Sequence, residues 1–142
     1  LRPLRKSEIR SVANEMALHA RASASEHVAT LHHHGSSSAQ AYFSIMEHCA
    51  TTLRSHIVVG EGVRDDDSAL VEQLARGLVD IHGLGIIHLA IKPETIRLTN
   101  DTHDLRISSF QNACEATFAA AHILRPTDKP EYRAPDQVYS FA

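Results

Sequence analysis

The sequence lacks the features that define several large classes of protein. Its 142 residues include only two cysteines, Cys49 and Cys114, which are too few for a disulfide framework and lack the paired spacing of a zinc site. No apolar run approaches the about 20 residues that a membrane-spanning helix requires, so no membrane segment is expected. With a net charge of −3 and no basic stripe, the chain also lacks the electrostatic signature of a nucleic-acid-binding protein.

The composition that remains is typical of a globular domain. Hydrophobic residues make up 43% of the chain and charged residues 22%. The first six residues include three basic ones, but no apolar signal core follows them, and the first residue is not Met. We therefore expect a portion of a longer chain. The low cysteine content favours a reducing, intracellular environment, and a cytoplasmic location is expected.

Helical and strand patterns alternate along the sequence. Apolar residues recur at intervals of three and four over residues 7–21, where Ser7 can cap an amphipathic helix. The same spacing predicts a second helix that starts at Ser68 and ends at Gly83. A short helix is predicted over residues 51–57, and strand-like runs that form two hairpins occupy residues 28–34, 42–46, 96–98 and 105–107. This order of elements predicts an α+β fold.

Three motifs resemble those of eukaryotic-type protein kinases. Residues 85–96, GIIHLAIKPETI, resemble the catalytic loop H-R-D-x-K-P-E-N-I, which follows a long helix in that family. Residues 107–111, ISSFQ, stand where the family has I-S-D-F-G, and residues 130–136, PEYRAPD, stand where it has P-E-Y-x-A-P-E. Three motifs in the family's order and spacing are far more specific than any one of them alone. The resemblance implies a protein kinase-like fold.

The resemblance extends upstream and defines two parts of one incomplete domain. The first predicted helix corresponds to the family's helix αC, with Glu15 as its ion-pairing glutamate. The strand over residues 42–46 leads to Met46 at the gatekeeper position, and Glu47 to Cys49 then form the hinge. Residues 1–47 would thus belong to the small lobe and residues 48–142 to the hinge and the first part of the large lobe. The glycine-rich loop, the nucleotide lysine and the later large-lobe helices have no counterpart here.

The resemblance places altered residues at the catalytic positions. Ala90 stands for the catalytic aspartate, Ser109 for the magnesium-binding aspartate and Thr95 for the magnesium-binding asparagine. Alanine has no oxygen that could accept a proton, and neutral hydroxyls are weak ligands for a hard dication. Leu89 replaces the catalytic-loop arginine and Gln111 the glycine of D-F-G. Little phosphoryl transfer is therefore expected.

Some family residues persist. His88 and Phe110 match members of the family's regulatory spine, and Lys92 matches the catalytic-loop lysine. For Lys92 and Glu15, an ordinary structural ion pair is a plainer interpretation than a residual phosphate site. The persistence of structural positions indicates a fold that was retained while its chemistry was lost.

The nucleotide pocket implied by the resemblance is also altered. Its residues would be Glu15, Met46, Glu47, Cys49 and Arg97. Arg97 occupies a position at which the family places an aliphatic side chain beneath the adenine, and a guanidinium facing an apolar base is costly to desolvate. Nucleotide binding is therefore disfavoured, and Cys49 is expected to be a buried, inert thiol.

These replacements predict a pseudokinase that acts as a protein-binding, scaffolding or allosteric regulatory module. Two alternatives remain open. One is an unconventional active Ser/Thr kinase that recruits Asp101 or Asp104 as its base, and the other is a regulatory pseudokinase that binds ATP without magnesium. No other cofactor is expected. No metal site is predicted either, because the run His32–His34 has no carboxylate or cysteine at ligand spacing. A protein partner is expected.

Overall fold

A computed structural model describes residues 6–36, 41–59, 67–100, 103–119 and 129–135 of the chain. The described helices are α1 (Lys6–Ala22), α2 (Leu53–Val59), α3 (Asp67–Gly83) and α4 (Ala116–Ala119). The strands are β1 (Leu31–Ser36), β2 (Tyr42–Met46), β3 (Thr51–Thr52), β4 (Ile86–Ile87), β5 (Ile96–Leu98), β6 (Leu105–Ile107) and β7 (Cys114–Glu115). Short 3₁₀ helices occupy Phe110–Asn112 and Pro130–Tyr132. The architecture is the predicted α+β.

The described strands form three small antiparallel sheets. Strand β1 pairs with β2, strand β5 lies between β3 and β6, and β4 pairs with β7. Val28 adds an isolated parallel bridge to Ile107, which connects the segment after α1 to the edge of β6. Residues distant in the sequence therefore meet at β6, next to the loop that follows β4.

Most of the predicted elements are present with shifted ends, but the prediction of a helix at residues 51 and 52 was wrong. The predicted strand over residues 28–34 is Leu31–Ser36, because Gly35 and Ser36 continue the ladder opposite Phe43 and Tyr42. The predicted helix over residues 51–57 is replaced in part, since residues 51 and 52 pair with β5 and the helix begins only at Leu53. Helix α3 begins at Asp67, one residue before the predicted Ser68.

One hydrophobic core joins α1, α3 and the strands around the loop after β4. Helix α1 contributes through Leu18, and α3 through Ile81. The buried members of this cluster are Leu18, Ala22, Val28, Ile81, Ile86, Ile96, Leu98, Leu105, Ile107, Phe110 and Ala113. The C-terminal end of α1 is also anchored by Arg21, whose guanidinium donates to Glu115 Oε1 at 2.5 Å and to the Leu84 carbonyl oxygen at 2.8 Å. The described part of the chain contains no helix long and apolar enough to span a membrane.

Candidate functional site

The candidate site is built on the loop over residues 88–96, called here the 88–96 loop. It follows β4, and it ends where Thr95 leads into β5. The Thr95 hydroxyl donates to the Ala90 carbonyl oxygen at 2.7 Å, lies 3.0 Å from the Lys92 carbonyl oxygen and accepts from the Lys92 N–H at 3.2 Å. Thr95 is buried. Its hydroxyl thus closes the loop on itself and is turned toward backbone groups.

Ala90 lies inside this closed loop. Its methyl group is 1% exposed, and its backbone N–H donates to His88 Nδ1 at 3.3 Å. An alanine methyl group can neither accept a proton nor orient a hydroxyl group. The position that the sequence assigns to the catalytic aspartate therefore holds an apolar, buried side chain.

The segment after β6 holds Ser108 and Ser109 beside the loop. Ser108 is buried, and both its N–H and its hydroxyl donate to the Thr95 carbonyl oxygen, at 2.9 and 2.8 Å. Ser109 has left-handed backbone angles, with φ of 64°, and its hydroxyl does not cap the following 3₁₀ helix. Leu89 is also left-handed, with φ of 61°. Side chains other than glycine are uncommon in this conformation, so both positions hold strained backbone.

Two histidines flank Phe110 in the core. The ring of His19 stacks on Phe110 with centroids 4.7 Å apart, and the ring of His88 meets Phe110 edge-on at 4.9 Å. His19 Nε2 is 2.7 Å from the Ala29 carbonyl oxygen, and His88 Nε2 is 3.0 Å from the Ser108 carbonyl oxygen. A column of three rings therefore joins α1, the Phe110–Asn112 turn and the 88–96 loop.

Burial opposes a charge on either histidine. Desolvation lowers the pKa of His88 to about 4; the hydrogen bond to Ser108 opposes this shift, and the nearby His19 adds to it. Desolvation also lowers the pKa of His19, against its bond to Ala29. Both rings are thus neutral near pH 7 and serve as packing groups with one polar edge.

His19 was missed by the sequence analysis. It lies one helical turn after Glu15, so the spacing of four residues could have identified it once Glu15 had been chosen. Glu15 itself is half-buried, burial raises its pKa, and no cation pairs with it among the described residues.

Glu47, in the predicted hinge, is held by a polar contact to β6. Both carboxylate oxygens of Glu47 accept from Arg106 Nε, at 3.1 and 3.2 Å, and one of them also accepts from the Thr30 N–H at 3.2 Å. Met46 precedes Glu47 and is 43% exposed. Burial, the largest effect, raises the pKa of the half-buried Cys49 thiol, and Glu47 acts in the same direction, whereas Arg106 and Arg97 oppose it. This environment does not favour a reactive thiolate.

Arg97 projects from the middle of β5. Its neighbours Ile96 and Leu98 are buried, whereas Arg97 is exposed on the opposite face of the strand. The structure therefore brings Glu47, Cys49 and Arg97 to one side of the sheet, while Glu15 lies on α1 near the ring column. Gln111 is exposed in the 3₁₀ turn.

A second charged contact links the 88–96 loop to residues 129–135. The ammonium group of Lys129 donates to Glu94 Oε1, which raises the pKa of Lys129 and lowers that of Glu94. The other carboxylate oxygen of Glu94 is buried and has no hydrogen-bond partner among the described residues. Lys92, the surviving motif lysine, is half-buried in the same loop.

The aspartates suggested as substitute bases lie elsewhere or outside the described residues. Asp101 lies outside the described residues. Asp104 lies at the turn between β5 and β6, where its N–H binds the Thr99 hydroxyl at 3.0 Å and its carboxylate accepts from Gln73 at 3.2 Å. Thr95 and Ser108 are at the other end of the same hairpin, four residues along the strand, which at about 3.3 Å per residue is roughly 13 Å away. Asp104 therefore supports the turn rather than the 88–96 loop.

No group of three or more His, Cys, Asp or Glu side chains that could hold a metal ion occurs in the part of the chain that the structure describes. In the histidine run over residues 32–34, His34 Nδ1 lies 2.7 Å from the Tyr42 hydroxyl oxygen.

Comparisons with known proteins agree with the motifs. The family model described as the protein kinase domain matches residues 2–140. A serine/threonine-protein kinase of Saccharomyces cerevisiae is 35% identical over 74 residues, which cover 51% of this chain and 12% of the relative. A probable cell division protein kinase of Encephalitozoon cuniculi is 41% identical over 70 residues, which cover 49% of this chain and 22% of the relative. A negative regulator of sexual conjugation and meiosis of Schizosaccharomyces pombe is 28% identical over 102 residues, which cover 69% of this chain and 22% of the relative. The chain thus spans less than a quarter of each relative.

Proposed function

Because the chain belongs to the protein kinase domain family, whose model matches nearly all of it, we propose that it acts as a pseudokinase that binds and regulates a protein partner. The observation that carries this proposal is the buried methyl group of Ala90 at the position of the catalytic base. A kinase needs an acceptor there to orient and deprotonate the substrate hydroxyl.

The surroundings of Ala90 support the same conclusion. The Thr95 hydroxyl is engaged by backbone groups of its own loop, and Ser109 offers a neutral hydroxyl where a carboxylate would hold magnesium. Loss of a general base and loss of metal-based charge stabilisation each lower rates by about 10² or more. The combined replacements should leave phosphoryl transfer near the uncatalysed level.

The retained structure supports a binding role. The buried ring column lies beneath the closed 88–96 loop and the left-handed Leu89 and Ser109, and it supports a defined loop surface that does not depend on catalysis. Strained backbone persists only where the surrounding packing enforces it. We propose that this surface presents the kinase-like fold to a partner protein, and that ATP, if bound, binds without magnesium.

A phosphotransfer assay on the full chain tests the catalytic part of the proposal. We expect no transfer from ATP and magnesium to a mixed Ser/Thr peptide library above the level of a boiled control. The triple variant Ala90→Asp, Thr95→Asn, Ser109→Asp measures how much of the missing chemistry lies at these positions, and Ala24→Asp controls for an added charge at an exposed site. Robust, magnesium-dependent transfer by the unaltered chain would refute the proposal.

A thermal-shift titration with ATP tests the cofactor part. A ligand that binds the native state raises the unfolding midpoint. We expect any rise to be the same with and without magnesium, since Ser109 and Thr95 lack the ligands to hold it. A rise that requires magnesium would contradict this expectation and favour an active kinase.

A further inference from the structure

Two arginines stand side by side on the outer face of the β3–β5–β6 sheet. Arg97 of β5 is the register partner of Arg106 of β6 on one side and of Thr52 of β3 on the other. Because Ile96 and Leu98 point into the core, Arg97 and its partner Arg106 project from the opposite face. Directly opposed residues in an antiparallel pair have Cβ atoms about 4.5–5.5 Å apart. The two side chains therefore leave the sheet next to each other, beside the predicted hinge.

The positive charge of this arginine pair is only partly compensated by the described residues. Like charges placed directly opposite each other destabilise a strand pair. Arg106 is compensated by Glu47, at 3.1 and 3.2 Å, and by the Leu105 carbonyl oxygen at 3.1 Å. No acceptor contacts the guanidinium of Arg97 within the described ranges. With one carboxylate and two guanidinium groups, the cluster keeps one net positive charge.

Glu47 is not free to compensate both arginines. Its carboxylate also accepts from the Thr30 N–H, and its own N–H donates to the Thr30 carbonyl oxygen at 2.8 Å. These bonds hold Glu47 on the Arg106 side of the pair. The charge of both arginines nevertheless reaches the hinge, because each of them acts to lower the pKa of Cys49. A positive potential therefore persists on the surface where the kinase resemblance would place an adenine.

We propose that Arg97 and Arg106 form an oxyanion-binding site on this face, suited to a phosphate or carboxylate group. A guanidinium presents paired N–H donors in a planar fork that matches the two oxygens of such a group. An oxyanion bound to Arg97 would supply its missing acceptors and reduce the repulsion between the two arginines. The site needs neither adenine, magnesium nor catalysis, so it goes beyond the proposed function.

Titration of the full chain with inorganic phosphate, and separately with acetate, tests the site. Sodium chloride keeps the ionic strength constant, and the unfolding midpoint reports binding. We expect the midpoint to rise with at least one oxyanion. Phosphate also stabilises folded proteins non-specifically, so only the part of the rise that Arg97→Gln abolishes counts as binding at this site. If that part is larger for phosphate, the site takes phosphoryl groups, and if it is equal or larger for acetate, the site takes carboxylates.

Two matched variants make the test specific. Arg97→Gln should weaken oxyanion binding by about tenfold or more, as expected for loss of a hydrogen bond between charged groups. Arg10→Gln removes the same charge from an exposed position on α1 and should leave the affinity unchanged. If neither oxyanion binds, or if both variants weaken binding equally, the site does not exist. The phosphotransfer assay on the same preparation is unaffected by either result, so the two proposals fail independently.

Discussion

Thr95 shows how a single buried side chain can hold a loop together. A hydroxyl group at this position is a poor magnesium ligand, yet it bonds to two backbone groups of the 88–96 loop and accepts from a third. The carbonyl oxygen of Thr95 accepts hydrogen bonds from both the N–H and the hydroxyl group of Ser108. One threonine therefore fixes the loop and attaches it to the segment after β6.

Thr95→Val should destabilise the protein by about 1–3 kcal/mol, because the isosteric side chain leaves buried backbone groups without their partner. Thr95→Ser keeps the hydroxyl and should cost less. Urea unfolding followed by circular dichroism measures both free energies. Equal stability of Thr95→Val and the unaltered chain would mean that the hydroxyl does not support the loop.

Helix α3 is the element that fixes the position of the hairpin below the site. It packs against β6 at Gly77, where a Cβ atom would lie 2.8 Å from Ile107 Cδ1 and 2.9 Å from His27 Cβ. Its side chain Gln73 also binds Asp104 and the Leu105 N–H at the turn of the hairpin. The close approach at Gly77 therefore sets the distance between the helix and β6.

Gly77→Ala should destabilise the protein by about 1–3 kcal/mol, because the added methyl group overlaps side-chain atoms that are themselves packed. Gly83→Ala in the last turn of the same helix is the matched control, since no atom lies within 4 Å of its Cβ position. Alanine there should be neutral or stabilise the helix by up to about 1 kcal/mol. Thermal unfolding of both variants decides the matter, and equal midpoints would argue against close packing at Gly77.

The elements that depend on local pattern were predictable, and those that depend on distant pairing were not. The apolar spacing gave α1 and α3 to within one residue, and the β-like runs gave β5 and β6. The two-residue strands β3, β4 and β7 exist only because of long-range partners, such as Ile87 opposite Cys114. Thr51 and Thr52 were assigned to a helix for the same reason.

The site followed the same rule. The motifs placed His88, Ala90, Thr95 and Ser109 near one another, because the spacing of a known pattern carries information about its fold. Contacts made by residues outside the motifs, such as Glu47 to Arg106, leave no local trace in the sequence. The position of Arg106 beside Arg97 is a further example, because it follows from the register of β5 against β6.

On the scale of the whole molecule, the ring column joins three segments that are far apart in the sequence. His19 comes from α1, Phe110 from the turn after β6 and His88 from the 88–96 loop. Each histidine also lies within hydrogen-bond distance of a carbonyl oxygen, His19 of that of Ala29 and His88 of that of Ser108. Packing of α1 against the 88–96 loop therefore depends on two buried, neutral imidazoles.

This dependence predicts acid sensitivity with a definite sign. The pKa of His88 falls from its ordinary value of 6.5 to about 4 on folding, and that of His19 is also lowered. A histidine with a depressed folded pKa contributes its full stability above pH 6.5, and this contribution is lost as the pH falls toward 4. For His88 the loss approaches about 3 kcal/mol at pH 4, at 1.36 kcal/mol for each unit of pKa.

Urea unfolding at pH values between 7 and 4 should therefore show a steep loss of stability below pH 6.5. His88→Phe removes the titrating ring but keeps an aromatic side chain beside Phe110, so its stability should depend less on pH even if it is lower at pH 7. His82→Asn, which removes an exposed imidazole from the end of α3, should retain the slope of the unaltered chain. If His88→Phe keeps that slope as well, the acid sensitivity arises outside the ring column, and the neutral imidazole of His88 does not hold α1 against the loop.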